Sequence, residues 1–281
     1  MRHRLRSLVA AGAAVALGLG ASVGLAGTAS AASSNRALGL SSNGKTLSVV
    51  NLDTAKRTAG LGNVTGLSGD AKLVGIDFRV QDRRFYGVGN AGGVYVINSY
   101  TGKATKVSQL SVELDWNMDF AVDFNPAADR LRVISSGGQN LRHDVNTDTT
   151  TTDTPLAYNP AGATPAVTAV AYTNNDLDAA NTATTLFDID TTTDFLAVQS
   201  PANAGTLVNE GKLGFDAAPA AGFDIRTTVV NGRAVANSGW AALRPAGGGA
   251  SALYRIDLSS GKATKVGSFI YDVADLAVTQ P

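Results

Sequence analysis

"VYVINSYTGKATKV", Val94 to Val107, decides the fold, because "LYRIDLSSGKATKVG", Leu253 to Gly267, nearly copies it. In both, apolar residues alternate with others, as in a strand that buries one face. A polar turn containing glycine follows, and Lys-Ala-Thr-Lys-Val opens the next strand. The frame recurs more loosely in "SVVNLDTAKRTAG" from Ser48, "LRHDVNTDTTTTD" from Leu141 and "LFDIDTTTDFLAV" from Leu186. Each time an Asn or Asp closes the strand: Asn51, Asn98, Asp144, Asp190 and Asp257, at intervals of 47, 46, 46 and 67 residues. Such a side chain bonds its own following backbone and starts the turn.

A second strand precedes these. "GIDF" ends at Phe78, "AVDF" at Phe124, "AVAY" at Tyr172 and "GFDI" at Ile225. A further one lies at "RRFYGVG" (83–89), "DRLRVIS" (129–135) and "GRAVANS" (232–238). Three or four short strands in about 46 residues are the mark of a propeller blade. A β-sandwich has no need of that period, and a solenoid usually has a shorter one. The first unit, 37–67, lacks its "GIDF"-type strand, and "DVADLAV" (272–278) supplies it. The expectation is an all-β, five-bladed β-propeller whose C-terminal strand closes the N-terminal blade, removing the free edges of an open sheet. The stretches 174–184 and 240–250 are expected to be loops on the rim.

The N-terminus is organised differently. Arg2, Arg4 and Arg6 precede an apolar run from Leu8 to Ala26, and Ala29-Ser30-Ala31 offers small residues for cleavage. This is the plan of a secretory signal peptide, residues 1–31, removed on export; an uncleaved anchor is the rival reading. The mature chain, 32–281, is then expected to be a single secreted propeller domain, monomeric, with no membrane contact.

Composition narrows the chemistry. The full chain balances 23 Lys plus Arg against 23 Asp plus Glu, and removing Arg2, Arg4 and Arg6 leaves 20 against 23. A slightly acidic domain does not invite nucleic acid. With no cysteine, disulfides, thiolate catalysis and Cys-ligated metals are excluded. Of two histidines only His143 outlasts cleavage, so neither a two- nor a three-histidine zinc site can form.

"AVDFNPAADRLRVISSGGQNLR" (121–142), "AYTNN" (171–175), "TTLFDID" (184–190) and "GTLVNEGKLG" (205–214) resemble the bacterial DUF4394 family, along nearly the whole mature chain. The resemblance implies an exported propeller-like repeat domain and brings no established reaction.

Two constellations merit attention as ligand sites. Arg130 and Arg132 share a strand face, as do Asn140, Arg142 and Asp144 on the next strand. Together they make an Arg/Asp/Asn network, with Asp123 and Asp129 within reach. It reads either as a buried ion-pair network or as a site for an acidic ligand or sugar. Asp77, Asp123 and Asp224 occupy equivalent places, where two units carry Ala171 and Ala277. If those strands line the channel, three carboxylates converge and Ca²⁺ becomes conceivable; otherwise each caps a turn or pairs with Arg79 or Arg226. No cofactor is expected.

No catalytic motif stands out. Gly-x-Ser-x-Gly is absent, and His143 alternates with Leu141 and Val145 as a packed strand residue does. "GVGNAGG" (87–93) leads into a strand, not a helix, so it reads as a hairpin turn and not a phosphate loop. Tyr95 and Tyr254 read as core, Trp116 and Trp240 as rim candidates. The leading expectation is a non-catalytic binding or scaffold module for an extracellular protein or glycan. The alternatives are a small-molecule or Ca²⁺ propeller at the channel mouth and an extracellular polymer hydrolase or lyase.

Overall fold

The computed structural model describes residues 35–280, so the signal-peptide reading of 1–31 lies outside the described residues. Within them the chain forms five sheets, antiparallel except where β12 pairs in parallel with β16, arranged as a five-bladed β-propeller. Blade 1 contains β1 (Arg36–Leu40), β2 (Thr46–Asn51) and β3 (Arg57–Asn63). Blade 2 holds β4 (Leu73–Arg79), β5 (Arg84–Gly89), β6 (Gly93–Ile97) and β7 (Ala104–Gln109). Blade 3 holds β8 (Phe120–Asn125), β9 (Arg130–Ser135), β10 (Asn140–Asp144) and β11 (Thr149–Thr152). A short β12 (Ala157–Tyr158) then joins the outer edge of blade 4, whose other strands are β13 (Val167–Tyr172), β14 (Leu186–Asp190), β15 (Phe195–Gln199) and β16 (Thr206–Lys212). Blade 5 holds β17 (Gly222–Val230), β18 (Arg233–Leu243), β19 (Ala252–Ile256) and β20 (Ala263–Ser268).

The last strand, β21 (Asp275–Val278), pairs with β1 and becomes the innermost strand of blade 1, with Ala37 opposite Val278 and Leu40 opposite Asp275. It lies against β17 on one side and β4 on the other, which closes the ring.

The core is five layers, one at each blade joint. Period-two alternation distributes the side chains. On β1, Ala37 faces blade 5 with Trp240, Leu253 and Leu276, while Leu38 and Leu40 face blade 2 with Ile76 and Tyr95. Every blade thus gives one face to each neighbour, which is why inner strands such as β13 are buried along their whole length. Small residues let the innermost strands converge: a Cβ on Gly222 would sit 2.3 Å from the Asp275 Cα, and one on Gly75 2.7 Å from Val122.

The repeated turn is built as the sequence suggested. Asn98 Oδ1 accepts the backbone N–H of Tyr100 (2.9 Å) and Thr101 (3.1 Å), and Gly102 takes φ 70°. Asp257 does the same for Ser259 (2.9 Å), with Gly261 at φ 73°.

Two expectations need correction. Asp190 closes the second strand of blade 4, β14, and not the third as in the other blades. The same Asx turn, Asp190 Oδ1 to the N–H of Thr192 (2.9 Å), is used one hairpin earlier, and this frame slip produces the long last interval. Trp240 is no loop residue: β18 runs on to Leu243, and the indole is 3% exposed with the Arg255 guanidinium 4.4 Å from its ring centroid. The 174–184 stretch is a loop as expected.

The closing strand carries its share of the core. Leu276→Ala, at a site 1% exposed, is expected to cost about 2–5 kcal/mol in urea unfolding. Ile270→Ala, in the connector just before that strand and 96% exposed, should change stability by less than about 0.5 kcal/mol. Equal effects would mean that β21 does not hold the ring.

Candidate functional site

The innermost strands β4, β8, β13, β17 and β21 line the axis, and three of the expected residues meet there. Asp77, Asp123 and Asp224 are buried, each with a carboxylate oxygen within 4.8 Å of the others. Their geometry follows one rule. Asp77 Oδ2 accepts the N–H of Phe124 on the next blade (2.7 Å), and Asp123 Oδ1 accepts that of Tyr172 on the blade after (2.9 Å). Asp224 Oδ2 accepts the N–H of Val278. Each acceptor therefore serves the residue one past its own equivalent in the following blade.

Blade 1 obeys the rule with a residue that the repeat alignment passed over. Asp275 stands two positions before Ala277, on the same face of its strand, and its Oδ2 accepts the N–H of Ile76 (2.8 Å). Blade 4 has Ala171 and no carboxylate at the equivalent place on its innermost strand. Its joint to blade 5 is sealed by Asn175, whose Nδ2 donates to the Ile225 carbonyl (3.0 Å) and whose N–H donates to Thr227 Oγ1 (2.8 Å). Ile225 N–H is served by Asp224 Oδ1 of its own strand. None of these aspartates pairs with Arg79 or Arg226; Arg79 binds Asp129 (2.5 Å) and Arg226 donates to Asn35.

Burial dominates the electrostatics. It pushes the carboxyls of Asp77 and Asp123 well above the usual range, with neighbouring carboxylates adding to the shift. Asp224 and Asp275 are pushed up to about 7, again chiefly by burial, against the pull of the backbone N–H groups they accept. Near neutrality the cluster shares protons. Carboxylate oxygens at this spacing can surround a hard cation, although Ca²⁺ asks for six to eight oxygens and both oxygens of Asp224 already accept N–H groups.

The Arg/Asp/Asn network is real but buried, and it is organised by two residues that sequence spacing did not suggest. Arg132 and Arg142 stand directly opposite each other on β9 and β10, a repulsive placement in isolation. Asp153 bridges them, at 2.6 Å from Arg132 and 2.7 Å from Arg142. Arg132, 2% exposed, also donates to Asn140 Oδ1 (2.7 Å), to Asn203 Oδ1 across the joint to blade 4 (2.8 Å) and to the Tyr172 hydroxyl (3.3 Å). Arg130 pairs separately with Asp144 (3.0 Å). The eight expected ligand residues thus divide among the axis, a buried joint and a surface pair.

His143 is fully buried, with burial holding its imidazole below the ordinary value. Its ring nitrogens meet Ser108 Oγ (2.6 Å) and Thr150 Oγ1 (3.0 Å), and the Ser108 hydroxyl is given to Asp148. The carboxylate holds the serine instead of the imidazole, so the order of a Ser-His-Asp triad is not reproduced. Tyr95 and Tyr254 are core, and Trp116 is exposed in the connector before blade 3.

The domain of unknown function DUF4394 matches residues 46–277. The chain belongs to the DUF4394 family. No curated protein matches this DUF4394 chain. Among solved structures, the nidogen/laminin complex contains a chain with TM-score 0.50 at 8% identity, covering 87% of this chain and 98% of that one. A protein of unknown function from Bacteroides caccae gives 0.44 at 9%, covering 88% and 99%. Another from Bacteroides thetaiotaomicron VPI-5482 gives 0.49 at 13%, covering 88% of this chain and 64% of that one. At 8% identity the likeness to the nidogen/laminin chain speaks to fold alone.

Two outcomes follow from the axis and the joint. A carboxyl held at about 7 in the fold and near 4 unfolded binds its proton better when folded, so its contribution is complete at low pH and is lost as pH rises through about 7. Unfolding free energy of wild type minus that of Asp275→Asn is therefore expected to fall from pH 5 to pH 8. At pH 8, Asp275→Ala, which orphans the Ile76 N–H, should be less stable than the Asn variant by about 1–3 kcal/mol. At the joint, Asp153→Ala strands a buried guanidinium and is expected to cost about 3–5 kcal/mol in urea unfolding. Arg130→Ala, which removes the more exposed pair with Asp144 and leaves the Asp144 turn bond to Asn146 in place, should cost at most about 1 kcal/mol.

Proposed function

We propose that this DUF4394 chain is an exported, non-catalytic propeller that serves as a binding or scaffold module for an extracellular protein or glycan. The observation that supports this most is the destination of the axial carboxylates: Asp77, Asp123, Asp224 and Asp275 each accept an N–H from the next blade. Carboxylates that lock blades together cannot also open to a polymer. A glycosidase pair stands about 5–9.5 Å apart and flanks an open cleft, whereas these oxygens are closer and buried. Export is supported by the charged, apolar and small-residue order of the first 31 residues.

The convergence of Asp77, Asp123 and Asp224 favours one second reading, a Ca²⁺-binding propeller. Thermal unfolding at pH 8 in 5 mM Ca²⁺ and in EDTA separates the two, because a ligand of the folded state raises its midpoint by mass action. The scaffold reading expects coincident curves. A higher midpoint in Ca²⁺ that disappears in Asp77→Asn and Asp123→Asn would establish the cation site instead. New reducing ends or unsaturated products after incubation with polysaccharides would overturn the non-catalytic reading.

A further inference from the structure

The near-copied turns that set the fold also differ in one informative place. Where blade 5 has Ser259, blade 2 has Tyr100. The backbone turn is the same in both, through Asn98 with Gly102 and Asp257 with Gly261; Ser259 Oγ adds a bond to Asp257 Oδ1 (2.7 Å), whereas the Tyr100 ring has no such part in its turn. Tyr100 is nonetheless large, aromatic and 89% exposed. It stands at the meeting of two adjoining cavities. One, of about 580 Å³, runs between blades 1 and 2 past Arg36, Phe78 and Phe85. The other, of about 380 Å³, continues over blade 2 past Arg84 and Lys103. Arg83, Phe85, Ser99 and Tyr100 line both.

The charge of this cleft is one-sided. Arg36, Arg83, Arg84 and Lys103 line it, and no Asp or Glu does, on a chain whose charges balance overall. Among the described residues Arg36, Arg84 and Lys103 enter no ion pair, while seven pairs form elsewhere. Guanidinium groups take carboxylates in paired hydrogen bonds. A tyrosine ring held on a stiff turn offers a flat apolar face and a polar tip at small entropic cost. Hydroxyls of Ser99, Thr58 and Thr105 add polar points along the walls. Each cavity falls within the volume range of ligand sites, and two in line suit a chain of rings better than one ring.

We infer that this cleft binds an acidic oligosaccharide, a sugar chain bearing carboxylates, with Tyr100 as the stacking platform and Arg36, Arg84 and Lys103 as the carboxylate partners. It gives the binding role proposed above a ligand class and a place, and it rests on that reading. The axial aspartates take no part.

Calorimetric titration of the purified full chain with hexagalacturonate, hexamannuronate and methyl-esterified hexagalacturonate tests it at low and at 0.5 M salt. The expected result is binding of at least one acidic hexamer, weakened by salt, with the ester bound at least about tenfold more weakly, a loss of ~1.4 kcal/mol. Tyr100→Ser, which installs the residue of the sister turn and so preserves the fold, should weaken binding about tenfold. Arg84→Gln with Lys103→Gln should weaken it at least as much and flatten the salt dependence. No binding of either acidic hexamer, equal binding of the ester, or unaltered binding by both variants overturns the inference. Chromatography of the recovered sugar tells the two proposals apart: shortened oligomers would sink the non-catalytic reading while leaving the cleft, whereas intact, unbound sugar sinks the cleft alone.

Discussion

A five-bladed ring brings five strand edges to a common axis, and each edge carries backbone N–H groups with no strand beside them. Unpaired and buried, each such group would cost a kilocalorie or more. The structure meets this demand by handing carboxylates from blade to blade: Asp77 to Phe124, Asp123 to Tyr172, Asp224 to Val278 and Asp275 to Ile76. An acceptor on one blade completes the hydrogen bonding of the next, so no blade is finished alone. The cost is that carboxylates are buried close together, which pushes Asp77 well above the usual range and Asp224 up to about 7.

The exceptions obey the same constraint. Blade 4, with Ala171, hands no carboxylate on: Asp224 Oδ1 serves the Ile225 N–H from its own strand, and Asn175, just past β13, donates its side-chain amide to the Ile225 carbonyl and its backbone N–H to Thr227 Oγ1. Blade 1 shifts its carboxylate by two residues, which keeps the side chain on the same face and moves the recipient by the same two residues, from Phe78 to Ile76. Since Asp275 comes from the last strand, ring closure and the axial network are one event. The chain ends are joined by strand pairing on one side and by a carboxylate handoff on the other.

Architecture was legible in the sequence because its signals are local. A strand of alternating residues, an Asx turn and a glycine in the left-handed region lie within fifteen residues of each other, and five near-repeats of that unit leave few folds. The Asx turn does not say which hairpin it closes, however. Asp190 makes the same turn as Asp144 but between the second and third strands, and alignment on that turn slipped by one strand. The site was less legible because its partners are remote. Asp153 joins Arg132 to Arg142 from outside their strands, and Asn203 reaches Arg132 from another blade. Asp275 was hidden by aligning Ala277 with Asp77, although period two puts both on one face. Trp240 was misplaced because β18 outruns the other second strands and carries the indole into a joint under Arg255.

The cleft proposed for ligand binding fits the same division of labour. Most buried acidic and basic groups at the axis and the joints are committed: Asp77 and its axial companions to backbone, Arg132 to Asp153 and Asn140, His143 to Ser108 and Thr150; Asp188 of β14, buried with neither oxygen hydrogen-bonded, is the exception. A group already satisfied in a dry interior gains nothing from a ligand and loses a bond by turning to one. Recognition therefore falls to side chains that the fold does not require, and the repeat itself identifies them. Two turns with the same backbone, the same Asx acceptor and the same glycine need the same residues for folding; what one has beyond the other is free for other use. Tyr100 against Ser259 is such a surplus. It stands beside Arg36, Arg84 and Lys103, which among the described residues enter no ion pair, at a joint to which the closing strand contributes.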